Sequence, residues 1–286
     1  MKKIFSSSMK KLNVMLLMAF SLLTVLPLWF IITGSFMGSA EFADNFQTVL
    51  DNTTGKVSWP FLPAYPTLRS YVELLLDSPR FFVVFWNSCK QVIPSLFGQL
   101  LIAVPAAWSF AQFDFRWKKA VFTLYIVLMV MPYQVTMVSS YLILDRMNLL
   151  DSHLSIIIPA TFSTFPVFIM VKFFKSIPKA LIEAARIDGA SEWRIFWNIG
   201  VPIGAVGILS AMILDFLELW NAIEQPLNFL KTKSLWPLTL YLPSISSDKA
   251  GITLVASVIM LLPALLLFLY GQRYLEEGIM VSGLNE

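Results

Sequence analysis

Long apolar stretches separated by short polar ones set the pattern of this chain. A segment needs roughly 20 apolar residues to cross a hydrocarbon core of about 30 Å. Six stretches meet that length: about Leu12–Phe36, Val84–Phe110, Ala120–Leu144, Leu154–Val171, Val201–Ile223 and Ile252–Tyr270. The pattern predicts an all-α polytopic membrane protein with six transmembrane helices. The first stretch follows Lys2, Lys3, Lys10 and Lys11, as a secretory signal would. Its apolar run is too long for a signal's core and no small-residue cleavage site is clear, so it reads as an uncleaved span.

Composition agrees. Of 286 residues, 57% are hydrophobic and 14% charged, with a mean hydropathy of +0.71. A soluble domain carries about 25% charged residues. Cys89 is the one cysteine and His153 the one histidine, which excludes a disulfide framework and a Cys/His metal cluster. The net charge of +3 says less than its distribution. With the N-terminus in the cytoplasm, 13 of the 21 Lys and Arg residues lie inside and seven outside, Lys90 falling near the outer end of the second span. That bias predicts cytoplasmic N- and C-termini.

Pro27, Pro94, Pro105, Pro132, Pro166 and Pro263 lie in or near the spans. A proline frees a carbonyl and kinks a membrane helix, which suits a path that changes shape, although proline is also common in such helices. The outer loop, about residues 37–80, holds Trp59, Pro60, Pro63, Pro66 and Pro79 and is expected to fold back near the headgroups. Its Asn52-Thr53-Thr54 triplet matches a glycosylation sequon, which nothing else in the chain supports. The chain is expected to be a single domain over residues 1–286, with no separate soluble part.

The longest inner loop, about residues 172–200, is polar and amphipathic. Pro178 suits the start of a short helix. Leu181, Ala184, Ala185 and Asp188 are predicted to share a face, with the Ala pair allowing a close neighbour. Gly189 permits a turn. Ser191 fits an N-cap and Glu192 the positive end of a second helix. Trp193, Phe196, Trp197 and Gly200 recur at 3/4 spacing. One reading lays this helix pair flat in the membrane interface, with the Trp residues among headgroups. The other makes it a docking surface for a soluble partner.

The two can hold together, with the second helix at the membrane and the first facing water, but the flat-lying reading alone does not explain Glu183, the Ala pair, Gly189 and the distal Ile-x-x-Pro. Glu183-Ala184-Ala185, three residues, Gly189, nine residues, Ile199, two residues, Pro202 resembles the EAA loop of ATP-binding-cassette importer permeases. The run Glu183–Ser191 is similar to the carbohydrate-uptake branch. Pro66-Thr67-Leu68 with Tyr71, Asn87-Ser88, Ser176-Ile177-Pro178-Lys179, Trp220-Asn221 and Pro226-Leu227 agree with that branch. Gln272-Arg273-Tyr274, Gly278 and Ser282-Gly283 resemble the tail of its maltose-permease-like second membrane subunit. The similarity covers about residues 10–286.

The resemblance implies an importer-permease fold and a localisation in the cell membrane. Glu183, Ala184, Ala185, Asp188 and Gly189 would couple to an ATPase, and the tail, about residues 274–286, would reach the same interface. The partners it implies are a second permease subunit, two ATPase subunits, an extracellular substrate-binding protein and membrane lipid, with no nucleic acid. No cofactor is expected on this chain: it has no Gly-x-x-x-x-Gly-Lys-[Ser/Thr] run, so ATP would be hydrolysed by the partner subunits.

Asp215 and Glu218 depart from the family pattern, lying inside the fifth apolar stretch. An acid at membrane depth costs about 2.5–3.5 kcal/mol on insertion scales and so faces a cavity or a partner. Lys90 is the candidate partner for either. Asp215, Glu218, Trp220 and Asn221 are candidates to line a sugar path. The main alternative keeps the architecture and changes the solute to a glycerol phosphodiester or a polyamine. An ion-coupled secondary transporter would explain the acids but not the loop. A membrane enzyme would rest on the two acids alone, and none is expected.

Overall fold

The computed structural model describes residues 2–50, 57–58, 60–241 and 249–283, with backbone alone for 2–8, 47, 49–50 and 277–283. The Asn52-Thr53-Thr54 triplet, Trp59 and the last three residues of the predicted tail lie outside the described residues.

Helices carry the whole architecture, and there is no strand among the described residues. In chain order they are α1 (Lys2–Gly34), α2 (Ser39–Leu50), α3 (Arg69–Leu75), α4 (Pro79–Gln112), α5 (Lys118–Val130), α6 (Tyr133–Arg146), α7 (Leu154–Thr161), α8 (Phe165–Ser176), α9 (Lys179–Ile187) and α10 (Glu192–Ile195). A π-turn (Phe196–Gly200) leads into α11 (Val201–Trp220). Then come α12 (Glu224–Phe229), a 3₁₀ turn (Lys233–Leu235), α13 (Leu238–Tyr241) and α14 (Ala250–Gly283).

Among the described residues, five segments are long and apolar enough to cross a membrane: Met9–Gly34, Pro79–Gln112, Leu154–Ser176, Glu192–Trp220 and Ala250–Glu276. The third predicted span is not one straight helix. It is the pair α5 and α6, bent by 103° at Met131-Pro132. Proline removes a donor and drives the residue before it out of the helical region, and Met131 accordingly sits at ψ 126°. The fourth is split between α7 and α8 at Phe162–Thr164, where Pro166 starts the second half. Pro27, Pro94, Pro105 and Pro263 stay inside α1, α4 and α14.

Two compact units result: residues 1–82 with 242–262, and 83–241 with 263–286. In the first, Met37, Phe42, Phe46 and Ala250 form a small core with Phe30 and Leu254. The predicted outer loop is partly helical. The Glu41 carboxylate of α2 accepts hydrogen bonds from the Ala64 and Tyr65 amides at 2.6 and 3.3 Å, pinning the chain that follows.

In the second unit α8 packs along α11. Gly204 and Gly207 make this possible: a Cβ at either would collide with the rings of Phe174 and Phe173, respectively. The core continues through Trp108, Met170, Phe174, Ile182, Ile195 and Phe196. On α4 a buried polar ladder repeats about every fourth residue: Asn87, Gln91, Ser95 and Gln99. Asn87 Nδ2 donates to the carbonyls of Ser234 and Trp236 at 2.7 and 3.0 Å, and Gln91 Nε2 to Leu235 at 3.1 Å. Ser88 Oγ accepts from the Leu238 amide at 2.8 Å. The irregular stretch after α12 has its backbone groups satisfied this way, as burial demands.

Asp151 performs a similar task for the loop before α7. It sits at φ 54°, and its carboxylate accepts from the Lys231 and Thr232 amides at 2.9 and 2.8 Å and from the Thr232 hydroxyl at 2.6 Å. Those donors, led by the hydroxyl, hold its pKa below the ordinary aspartate value. The lowered folded pKa means the clamp stands in full above the unfolded value of about 3.9 and is lost as pH falls through the lower folded value. Hydrogen exchange at Lys231 and Thr232 should therefore stay slow in the wild type down to about pH 4 and quicken below it. Asp151→Ala, which removes the acceptor shared by both amides, should lose that protection across the whole pH range.

Candidate functional site

The inner polar loop folds as an elbow. α9 starts after Pro178, whose extended ψ of 126° precedes the first turn, and ends in a glycine-capped turn. The Gly189 amide donates to the Arg186 carbonyl and the Ala190 amide to Ala185, both at 3.0 Å. This pairing requires a left-handed residue after the helix, and Gly189 has φ +79°. Ser191 then caps α10, its Oγ accepting from the Arg194 amide at 3.3 Å. Across the turn the Arg186 guanidinium meets Glu192 twice, at 2.6 and 3.1 Å. The pair is exposed and so fixes the angle of the elbow more than it stabilises the fold.

The Ala pair does not share one face. Successive helix residues point about 100° apart. Ala185 packs inward beside Ile182 onto the core, while Leu181, Ala184, Ile187 and Asp188 are exposed. Glu183 is exposed too, and its carboxylate acts by charge on the Arg186 guanidinium one turn on. Ile187 was not singled out from sequence, yet it is 86% exposed at the tip of the elbow. Its β-branched apolar side chain within a polar insert was the available signal. On α10 and the π-turn, Phe196 is buried against Trp108 at 5.8 Å, whereas Trp193 and Trp197 are exposed. The predicted stripe is thus split between core and surface. Gly200 lies against the Trp108 ring, leaving no room for a side chain.

A second feature lies among α4, α5, α6, α7 and α11. Here a cavity of about 440 Å³ is lined by Asp215 and Glu218 of α11, Gln99 of α4, Tyr133 of α6, Ser163 and Gln225. Both helix breaks, Met131 and Phe162–Thr164, open onto it. Unwound backbone within a membrane is tolerated where it lines a cavity. Asp215 is 2% exposed and Gln99 fully buried.

Of the four candidates for a sugar path, Asp215 and Glu218 line this cavity and the other two do not. Trp220 is buried against Phe216 and Phe85, with ring centroids 5.5 and 6.1 Å away. Asn221 turns its amide back onto the Leu217 carbonyl at 2.8 Å. The predicted pairing of Lys90 with either acid is absent: Lys90 forms an ion pair with neither. The buried ladder of α4 sets Lys90 off the face that carries Gln99, and its charge instead acts on His153. Burial and that charge hold the His153 pKa below its usual value.

Comparison with known proteins places this architecture. The profile of the family described as "Binding-protein-dependent transport system inner membrane component" matches residues 99–281. The arabinooligosaccharides transport system permease protein of Halalkalibacterium halodurans is 26% identical, over 92% of each chain. The lactose transport system permease protein of Rhizobium radiobacter is 29% identical, over 70% of this chain and 74% of its own. A probable ABC transporter permease protein of Pyrococcus horikoshii is 31% identical, over 77% and 82%. Among solved structures, a bacterial ABC transporter involved in the import of the acidic polysaccharide alginate shares the fold. Its TM-score is 0.78 at 21% identity, covering 93% of this chain and 95% of that one. The family match spans the elbow, the cavity and most of the apolar helices, so this multi-pass membrane protein belongs to the inner membrane components of binding-protein-dependent transport systems.

Proposed function

We propose that the chain is one permease subunit of an ATP-driven importer of a sugar or oligosaccharide. An external binding protein delivers the solute, a second permease completes the path, and two ATPase subunits supply the work. The exposed elbow carries this reading. Ile187, Leu181 and Asp188 present a small apolar and acidic surface, and Ile182 and Ala185 tie its back to the core. A force applied there passes through the π-turn directly into α11. Both termini are assigned to the cytoplasm with the elbow. Carbohydrate cargo is supported by the relatives, which are named for arabinooligosaccharide and lactose transport. The exposed apolar side chains of α1, such as Leu22 at 73% and Leu17 at 67%, suit lipid or the second permease.

Ile187→Asp tests the elbow without reaching the core. An apolar side chain at the centre of a docking patch contributes about 2 kcal/mol or more. ATPase co-purification should fall about 30-fold, with the amount of chain in the membrane unchanged. Full retention of the ATPase would overturn the assignment.

A further inference from the structure

Four buried side-chain atoms without a hydrogen-bond partner converge on one cavity: Asp215 Oδ2, Gln99 Oε1, Gln225 Oε1 and the Tyr133 hydroxyl. Each unpaired buried polar atom costs about 1–3 kcal/mol, so four in one place mark groups kept for something else. Their chemistry is one-sided. The two amide oxygens and the unprotonated oxygen of the Asp215 carboxyl accept, and the tyrosine hydroxyl can donate. The Gln99 orientation is fixed by its neighbour: Nε2 donates to the Ala160 carbonyl at 2.9 Å, which can only accept, so Oε1 is the free end. Glu218 adds a second carboxylate to the wall, and no Lys, Arg or His lines the cavity among the described residues.

We propose that this cavity is a solute subsite on the chain itself, in which Asp215, Gln99 and Gln225 accept hydrogen bonds from a neutral or ammonium-bearing sugar and from which anionic sugars are excluded. Thr136, Ser140, Ser163 and Thr164 add hydroxyls that donate or accept as needed, so the bias comes from the four unpaired groups, whose complement is a donor-rich solute. Sugar hydroxyls and an amino-sugar ammonium both donate. A uronate or a phosphate would set its charge against a wall of carboxyl and amide oxygens, Glu218 among them, with no cation there to pair with it. The volume falls within the roughly 300–1,000 Å³ of small-molecule sites. The assignment rests on the carbohydrate-import reading and narrows it to one charge class.

Dicyclohexylcarbodiimide, which attacks carboxyl groups in apolar surroundings, gives a direct test on the wild-type complex purified with its partner subunits. Modification of Asp215 is followed by peptide mass mapping, with and without maltotriose, the β-1,4 trimer of glucosamine or trigalacturonate. A probe at about five times its Kd should slow labelling about sixfold. Maltotriose or the glucosamine trimer should do so, and trigalacturonate should not. Equal protection by trigalacturonate, protection by none of the three, or an Asp215 that the reagent never labels would each overturn the subsite. Absence of co-purifying ATPase would instead overturn the importer reading, and the protection pattern would still decide the subsite.

Discussion

Gly189→Pro is expected to abolish coupling while leaving the chain in the membrane. Three effects act together. Proline fixes φ near −65°, whereas the turn needs +79°. It removes the amide that donates to the Arg186 carbonyl. It also disfavours the near-helical backbone of Asp188, at φ −70° and ψ 2°. Nothing lies within 4 Å of a Cβ built at Gly189, so the demand there is conformational and not steric. Gly189→Asn is therefore the control, since asparagine visits the left-handed region readily. ATP-driven uptake and ATPase co-purification should fall at least about tenfold for Pro, equivalent to about 1.4 kcal/mol, and stay near wild type for Asn. Equal behaviour of the two variants would remove the argument from the turn.

Gly204→Val should act on stability. Its side chain would have to enter the ring of Phe174, which is fully buried between α8 and α11. Overpacking of this kind costs about 1–3 kcal/mol and sometimes more, in a fold whose margin is about 5–15. Small residues at helix crossings are also what lets membrane helices approach closely. The expected result is a marked loss of monodisperse protein on detergent gel filtration and a lower melting temperature. Leu209→Val, at an exposed position on the same helix, should change neither. A Gly204→Val protein as stable as wild type would show that α8 and α11 are not held at this distance.

The elbow was readable because its local rules coincide. A capping serine, an acid in the first helical turn and a glycine after the preceding helix leave few alternatives over residues 178–200. The facing of Ala184 and Ala185 was not. Periodicity alone grouped them, and only the packing of Ile182 shows which side is inward. Hydropathy gave the spans but missed two helix breaks, because Met131 and Phe162 are as apolar as their neighbours and a hydropathy window cannot see a lost hydrogen bond. Pro132 was the visible cue, weighed only as a kink. The cavity is a tertiary product. Gln99, Tyr133 and Gln225 lie on separate helices or turns, and no spacing in the sequence joins them to Asp215. Trp220 was a candidate because an aromatic near an acid suits a sugar site; its ring packs on Phe85 and Phe216, a contact that no sequence spacing shows.

The amide ladder on α4 has a temporal side. Asn87 and Gln91 close their hydrogen bonds onto carbonyls 144 to 149 residues downstream. At about 5–20 residues per second, those acceptors leave the ribosome roughly 7–30 s after α4 does. Through that interval the nascent helix must keep two carboxamides company with water, lipid headgroups or the insertion machinery. Biogenesis of this protein thus has a built-in waiting period, which ends when the segment around Trp236 arrives.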